Sequence, residues 1–272
     1  MNENKPITVL LAAPSYDGRF DVRFMDSLIN TIPLCEQNNI KVLPYFLCFD
    51  SLIQRARNDY FRVAYQSGVD VMFFIDSDIG WNPADFVKLV LSDKDMIGGT
   101  YRKKNDDEEL YAFKALGENA SNFNIVPDQN GILEVNGLGC GFLKLSKNCV
   151  KQLFENENEF YVSEKEGAPE LTKNICACTI NVNNHFVSED IIMGFKWQQM
   201  GGKVYLDTTI DLVHVGNKSY TGDVRKWLAN WKTKFENQGV TVQQPTRNEV
   251  LAKYFTAPTP QQTVDDDMFK VL

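Results

Sequence analysis

The segment "FFIDSDIGW", residues 73–81, decides how the rest of the chain is interpreted. Five apolar residues, Val71–Ile75, lead directly into two carboxylates one residue apart, Asp76 and Asp78. An apolar run of this length is typical of a strand that is buried on both faces. Side chains at i and i+2 of an extended segment point the same way, so the two carboxylates repel each other unless a positive charge lies between them. The segment therefore predicts a buried strand that ends in a charged site.

Apolar strands and amphipathic helices alternate through the first hundred residues. The predicted strands are the segments 7–13, 40–48, 71–75 and 95–101. Pro44 in the second strand indicates an irregular or edge position, and Ser51 and Asn82 are predicted helix caps. The alternation predicts an α/β protein with a single Rossmann-like, mostly parallel sheet flanked by helices. Such sheets bind ligands outside the carboxyl ends of their strands, where Asp76 and Asp78 are expected.

The second half of the chain is less regular. The polar, acidic segment 155–185 is predicted to be a long mobile loop. Ser188 is predicted to cap a helix, two short strands follow it, and a last helix at 223–236 carries Trp227 and Trp231 on one face.

The 272-residue chain is 43% hydrophobic and 24% charged, with a net charge of −8 and an isoelectric point near 4.9. This composition is ordinary for a globular protein long enough to bury a sizeable core. The chain has no Lys- or Arg-rich block, which disfavours nucleic acid as a partner. No apolar segment approaches the roughly 20 residues of a membrane-spanning helix. The six cysteines are scattered, so we expect reduced thiols and a cytoplasmic location.

Carboxylates are hard oxygen ligands, so a divalent cation such as Mg²⁺ or Mn²⁺ is one candidate for the charge between Asp76 and Asp78. The alternative is a solvated turn after the strand. His214, in "DLVHVGNKSY", is a candidate third ligand, and Gly216 and Lys218 beside it suit a diphosphate. The alternative for His214 is a hydrogen-bonded core histidine.

Three further groups of residues have both a functional and a structural interpretation. Arg55, Arg57 and Asn58 either face the same crevice as Asp76 or belong to a solvated helix face. The acidic pair at 189–190 is either a catalytic carboxylate or a complement to the helix dipole. The glycines of "NGLGCG", with Gly139 and Gly141 as the acceptor-side candidates, either allow a ligand close to the backbone or form a turn. The residues alone leave these alternatives open.

Six motifs, "ARN", "FFIDSDIGWNP", "DKDMIGGTY", "NGLGCGF", "SEDIIMGFKWQQMGG" and "HVG", occur in this order. The ordered set resembles the GT-A-fold, nucleotide-sugar-dependent glycosyltransferases of the DxD-containing type found in viruses and bacteria. The resemblance covers about residues 7–222. It implies a GT-A fold and the transfer of a hexose or pentose from a nucleotide diphosphate donor to an acceptor hydroxyl, on a glycan or another molecule.

The resemblance implies that Asp76, Asp78 and His214 hold Mn²⁺ (or Mg²⁺) on the donor diphosphate. The residues expected to bind the donor are Pro14, Tyr16, Asp17, Arg55, Arg57, Asn58, Asp76, Ser77, Asp78, Gly216 and Lys218. Tyr16 would stack on the base and Asp17 would accept the uracil N–H, which favours a UDP-sugar over a GDP-sugar. "HVGNK" is similar to the H-x-x-G-x-x-K element of retaining enzymes, but its spacing is shorter.

The "ED" motif implies Asp190 as the base of an inverting reaction, with Glu189 as the alternative, and the stereochemistry stays open. The order of the predicted elements and the composition predict one domain over residues 1–240, followed by a polar C-terminal tail at 241–272. Residues 1–100 would form a nucleotide-binding half. Residues 101–240 would form an acceptor-binding half with a smaller mixed sheet and a lid at 155–185.

Two other classes of protein use similar features. A sugar nucleotidyltransferase would carry a glycine- and lysine-rich loop after the first strand, and "APSYDGR" is not such a loop. A non-catalytic, cation-dependent carbohydrate-binding module would not need a nucleotide crevice. An acceptor base in DNA would keep the same chemistry, but the acidic net charge argues against it.

Overall fold

The computed structural model describes residues 5–116, 125–163, 170–181 and 184–237. The predicted C-terminal tail, 241–272, lies outside the described residues. Within the described ranges, none of the helices combines the length and the apolar character needed to cross a membrane.

Strands and helices alternate in the first part of the chain as the sequence predicts. The elements are β1 (Ile7–Ser15), α1 (Val22–Gln37), β2 (Ile40–Cys48), α2 (Ile53–Ser67), β3 (Val71–Ile75), β4 (Ile79–Gly80), α3 (Pro83–Val90) and β5 (Met96–Gly98). The elements that follow are β6 (Phe113–Ala115), β7 (Ile132–Leu138), β8 (Phe142–Ser146), α4 (Lys147–Glu155), β9 (Glu159–Ser163), β10 (Glu170–Lys173), β11 (Thr179–Ile180), β12 (Phe186–Val187), α5 (Glu189–Gln199), β13 (Val204–Asp207), β14 (Val213–Val215), β15 (Ser219–Tyr220) and α6 (Val224–Asn237).

Eight strands form the main sheet in the order β2-β1-β3-β8-β5-β13-β7-β6. Three neighbouring pairs are parallel, namely β1 with β2, β1 with β3, and β5 with β13. The other four pairs are antiparallel. The sheet is therefore mixed, and the prediction of a mostly parallel sheet is wrong for its second half. The reason is that β8, buried along Phe142–Leu145, enters the sheet antiparallel between β3 and β5.

Three short strands form a second sheet in the order β15-β14-β4, and both of its pairs are antiparallel. The expectation of a smaller mixed sheet is corrected to an antiparallel one. Its register sets His214 opposite Ile79, and Val215 N donates to the Asp78 carbonyl over 2.8 Å. This small sheet therefore joins the end of β3 to a segment that lies far away in the chain.

Helices cover both faces of the main sheet. Along β1, Leu10 and Ala12 join the core beneath α2, α4, α5 and α6, whereas Val9, Leu11 and Ala13 join the core beneath α1 and α3. This period of two is what a strand buried on both faces requires. β2 lies at the edge of the sheet, as its proline indicated.

The predicted helix caps have different outcomes. Asn82 accepts from Ala84 N over 3.0 Å and Pro83 occupies the first helical turn, so this cap is confirmed. Ser51 is wrong as a cap, because α2 begins after Leu52 and Asp50 accepts the Leu52 N–H over 2.9 Å. Ser188 stands at the N-cap position of α5, but its hydroxyl contacts the Asp190 carboxylate instead of capping the helix.

The predicted long loop at 155–185 is wrong in the described parts of that segment. Strands β9 and β10 pair antiparallel, and the Thr172 hydroxyl donates to Asn58 O on α2 over 2.8 Å. Ile175 and Cys176 are fully buried against the core. The polar composition misleads because polar Thr172 is buried against α2 while its apolar neighbour Leu171 is exposed. Residues 164–169 and 182–183 of the predicted lid lie outside the described residues.

Candidate active site

The carboxyl ends of β1, β3 and β5 meet at one edge of the main sheet because these strands run in the same direction. Asp76 and Asp78 follow β3 at this edge, and Asp76 N donates to Gly141 O over 3.2 Å. Thr100 and Tyr101 follow β5 at the same edge and are buried. The expected position of the two carboxylates is therefore the observed one.

Arg57 is the cation that Asp76 contacts. Arg57 Nη2 lies 3.1 Å from Asp76 Oδ1, and Arg57 Nη1 pairs with Glu189 Oε1 in the first turn of α5. The residue is 5% exposed, and its Nε has no hydrogen-bond partner among the described residues. Burial alone lowers the pKa of Arg57, but Cys140, Asp76 and Glu189 together raise it well above its usual value. Arg57 therefore stays charged and joins β3 to α5.

Asp78 contacts a different set of cationic and polar groups. Lys104 Nζ lies 2.5 Å from Asp78 Oδ2, and His214 Nε2 lies 3.6 Å from the same oxygen. Burial raises the pKa of Asp78, but hydrogen bonds and charge from His214 and Lys104 outweigh it and lower the pKa below its ordinary value. In contrast, burial raises the pKa of Asp76 more than Arg57 lowers it. The surroundings of the two carboxylates thus shift their pKa values in opposite directions, upward for Asp76 and downward for Asp78.

The tautomer of His214 follows from its neighbours. Its Nδ1 lies 2.9 Å from the Arg102 carbonyl oxygen, which can only accept, so Nδ1 carries the proton. Nε2 faces Asp78 Oδ2: with a proton it donates to this oxygen, which is a contact that lowers the pKa of Asp78, and without a proton it offers its lone pair to a metal ion. A histidine that donates one nitrogen to a carbonyl and offers the other is the usual arrangement for a metal ligand.

The Asp78 and His214 atoms fit two positions on one divalent cation. Ligand atoms about 2.1 Å from a metal ion lie roughly 3.0–3.6 Å apart when the angle between them is near 90–120°. The observed separation is 3.6 Å. Asp76 is turned to Arg57 instead, and no group of three His, Cys, Asp or Glu side chains in the described ranges is arranged to hold a metal. Asp78 and His214 are therefore the candidate ligands, and Asp76 would join them only after leaving Arg57.

Glu189 and Asp190 lie side by side but have different contacts. Glu189 is 9% exposed and pairs with Arg57, and its Oε2 is 3.8 Å from Cys178 Sγ. Asp190 uses Oδ1 for both the Ser188 hydroxyl and Ile191 N. Neither of these bonds uses Asp190 Oδ2. This oxygen is therefore better placed than the Glu189 carboxylate to take a proton from a substrate.

Gly139 and Gly141 leave room for Tyr101. A Cβ on Gly141 would lie 2.4 Å from Tyr101 Cε1, and one on Gly139 would lie 2.7 Å from the Tyr101 hydroxyl. Burial and the nearby Asp76 and Asp190 carboxylates raise the pKa of Tyr101. The close approach expected at these glycines is thus made by a side chain of the protein. Their contact with an acceptor remains a prediction.

Two residues predicted to bind the donor are engaged with neighbouring segments. Arg55 forms a two-point contact with Asp50, over 2.9 Å from Nε and 2.7 Å from Nη2. Asn58 is buried, and its Oδ1 accepts from Cys176 N over 2.7 Å. Asn58 therefore anchors the segment after β10 to α2, and its binding of a nucleotide sugar remains a prediction.

The other candidates lie along the same edge. Pro14 is half-buried at the end of β1, Tyr16 is 75% exposed, and Asp17 Oδ1 accepts from Arg19 N over 3.0 Å. Ser77 O accepts from Asp21 N over 2.9 Å.

The candidates after β14 are exposed. Gly216 N donates to Lys218 O over 2.9 Å, and Lys218 Nζ pairs with Asp106 over 2.5 Å. The structure thus brings Lys218 to an acidic side chain of the 102–111 segment.

Sequence reasoning missed Lys104 and Tyr101. Tyr101 could have been found, because it follows β5 and the carboxyl ends of the parallel strands share one edge. Lys104 gave no such signal. It belongs to a polar segment without periodicity, and only the pairing of Arg102 with Tyr111 directs it toward Asp78.

No protein-family model matches the sequence, and neither does any curated protein. Two solved structures of viral proteins are similar to the chain. A197 from STIV has 15% identity and a TM-score of 0.46, over 77% of this chain and 85% of that one. A glycosyltransferase involved in the glycosylation of the major capsid of PBCV-1 has 9% identity and a TM-score of 0.30, over 54% of this chain and 63% of that one. At these identities and TM-scores, neither likeness assigns a function to the chain.

Proposed function

We propose that the protein is a metal-dependent glycosyltransferase of the GT-A type that moves a sugar from a nucleotide diphosphate donor to an acceptor hydroxyl. The observation that carries the proposal is the meeting of Asp78 and His214 beside Asp76 at the carboxyl ends of the parallel strands. The carboxylate of Asp78 and a neutral His214 imidazole suit Mn²⁺ or Mg²⁺, and Asp76 would add a second carboxylate once it left Arg57. A UDP-sugar is the favoured donor and a glycan the favoured acceptor.

Loss of a nucleotide diphosphate places negative charge on the leaving group, and a bound divalent cation would neutralise it. Asp78 and His214 would hold that cation. The exposed Lys218 lies in the turn after β14 and would contact a diphosphate bound there once it leaves Asp106. Tyr16, exposed beyond β1, is available to stack on the base.

Asp190 is the proposed base for the acceptor hydroxyl. It lies at the start of α5, where the backbone is part of a regular helix and the side chain is fixed by Ser188. Glu189 is committed to Arg57 and would position α5 relative to β3. A carboxylate in this position would take a proton from the acceptor as the sugar is transferred.

The test is the release of nucleotide diphosphate from a panel of UDP- and GDP-sugars by the purified chain, with Mn²⁺ or with EDTA. We expect slow donor hydrolysis that needs the metal and that Asp78→Asn abolishes. Asp93→Asn is the matched control, since Asp93 is 85% exposed and contacts only its neighbour Lys94 among the described residues. Metal-dependent binding of glycans without turnover of any donor would favour the binding-module alternative and overturn the proposal.

A further inference from the structure

Lys104 reaches Asp78 from a segment that folds back on itself. Arg102 and Tyr111 pair as an isolated antiparallel bridge, and Lys103 N donates to Leu110 O over 2.7 Å. This segment, residues 102–111, is named here the 102–111 hairpin. Lys104 projects from it and places Nζ 2.5 Å from Asp78 Oδ2. The Lys104–Asp78 ion pair thus ties the hairpin to the carboxyl end of β3.

The path of the Lys104 side chain is built into the site. A Cβ on Gly216 would lie 3.0 Å from Lys104 Cδ and 3.4 Å from its Cε. The lysine stem therefore runs across Gly216, where the absence of a side chain leaves it room. This contact is independent of the ion pair at Asp78, and it gives a structural reason for glycine after "HV".

Lys104 holds the same carboxylate oxygen that faces His214. A divalent cation bound about 2.2 Å from Asp78 Oδ2 would lie at most about 4.7 Å from Nζ, given the 2.5 Å contact. Two cations at this distance repel each other, because only one carboxylate oxygen lies between them. Asp78 therefore cannot bind the Lys104 ammonium group and a divalent cation at the same time without a loss of affinity for each.

We propose that Lys104 occupies the cation position on Asp78 and that a divalent cation binds there only by displacing it. This inference rests on the proposed function, because it concerns the same metal site. Displacement breaks the ion pair between the hairpin and the carboxyl end of β3, whereas the Asp106–Lys218 ion pair and the contact of the Arg102 carbonyl with His214 stay in place. The apparent affinity for the metal is reduced by the fraction of molecules in which Lys104 holds Asp78.

The first test is Mn²⁺ binding to the full chain without nucleotide, measured by calorimetry and by the electron paramagnetic resonance of free Mn²⁺. Lys104→Met keeps the apolar stem and removes the charge, and we expect it to bind Mn²⁺ about fivefold or more tightly than the wild type. Lys104→Arg restores the cation and is expected to bind weakly again. Lys103→Met is the matched control, since it changes the net charge equally but lines the groove beside Tyr111 and Trp227; its affinity should stay within about twofold.

The second test separates displacement from a general effect of charge. Hydrogen exchange measured by mass spectrometry reports the opening of amides in residues 103–110. In the wild type, saturating Mn²⁺ should speed this exchange, because it removes the ion pair that holds Lys104 to Asp78. In Lys104→Met the exchange should be fast without metal and should change little when metal is added.

The outcomes distinguish the inference from the proposed function. If the wild type binds Mn²⁺ and Lys104→Met binds it equally or more weakly, the displacement is overturned and the metal site stands. The same holds if Mn²⁺ leaves hairpin exchange unchanged. If neither protein binds Mn²⁺, both the displacement and the metal site are wrong. In the Asp78→Asn background, Lys104→Met should have no effect on residual metal binding.

Discussion

His214 Nε2 lies 3.6 Å from Asp78 Oδ2 because β14 pairs with β4 in a register that sets His214 opposite Ile79. Val215 N donates to the Asp78 carbonyl over 2.8 Å and holds the two segments together. Two very short strands thus bring together side chains that the sequence separates widely. The same carboxylate is a ligand in the proposed chemistry and the anchor of Lys104.

Asp78→Ala is expected to remove metal-dependent nucleotide binding while the fold survives. Loss of an outer-shell partner already costs roughly 10- to 100-fold in metal affinity, so loss of a ligand should cost at least as much. Calorimetry with UDP and Mn²⁺ measures the effect, and thermal melting checks the fold. UDP that binds equally well in EDTA would contradict the assignment of a metal to this site.

Asp190→Asn is expected to keep donor binding and lose nearly all transfer. Removal of a general base lowers the rate by roughly 10²–10⁴-fold. The competing explanation, that Asp190 only complements the helix dipole, predicts near-normal turnover and a stability loss of about 1 kcal/mol or less. Transfer assays at saturating donor, with melting temperatures as the control, decide between them. Turnover within about tenfold of the wild type would show that Asp190 is not the base, and Glu189 would be the next carboxylate to test.

Arg57→Met is expected to destabilise the fold by about 3–5 kcal/mol, because it leaves two carboxylates, Asp76 and Glu189, partly buried without their shared cation. Urea unfolding measures the change. Arg55→Met is the matched control, since its partner Asp50 is near the surface and the side chain is 41% exposed; about 1 kcal/mol or less is expected there. Equal losses in the two variants would show that the buried bridge does not hold α5 to β3.

Gly141→Ala is expected to cost about 1–3 kcal/mol of stability, since its Cβ would overlap the Tyr101 ring. The double variant with Tyr101→Ala is the control. The cost of the methyl group should shrink once the ring is gone, because the two residues are in contact. Strictly additive losses would exclude the overlap as the cause.

Asp70 is expected to make stability depend on pH in the acid range. Burial raises the pKa of Asp70, but hydrogen bonds from Thr8 N over 2.8 Å and Thr8 Oγ1 over 2.7 Å lower it below its ordinary value of 3.8. A folded pKa below the unfolded one contributes stability that is complete above the unfolded value and is lost as the pH falls through the folded value.

The measurement is urea unfolding of Asp70→Ala and the wild type at pH 7 and at successively lower pH. The variant should be less stable by about 1–3 kcal/mol at pH 7. The difference should narrow as the pH falls below 3.8, the ordinary value from which Asp70 is lowered. A difference that does not change with pH would show that the Thr8 contacts do not depend on the charge of Asp70.

The sequence by itself determined the local elements of the first half and the position of the two carboxylates. The apolar run Val71–Ile75 is the buried strand it predicts, Pro44 lies in an edge strand, and Asn82 caps α3. These features depend on residues near each other in the chain, through side-chain periodicity, fixed backbone angles and capping bonds. Such short-range effects act in the same way wherever the segment is later packed.

Only the tertiary structure decided how the segments pair. It placed β8 antiparallel between β3 and β5, and it folded the segment predicted to be a loop into the β9–β10 hairpin on α2. It also gave the two carboxylates different partners, Arg57 for Asp76 and Lys104 with His214 for Asp78. Strand order and ion pairing between distant residues depend on which surfaces meet after folding, and a local pattern of polar and apolar residues does not specify that choice.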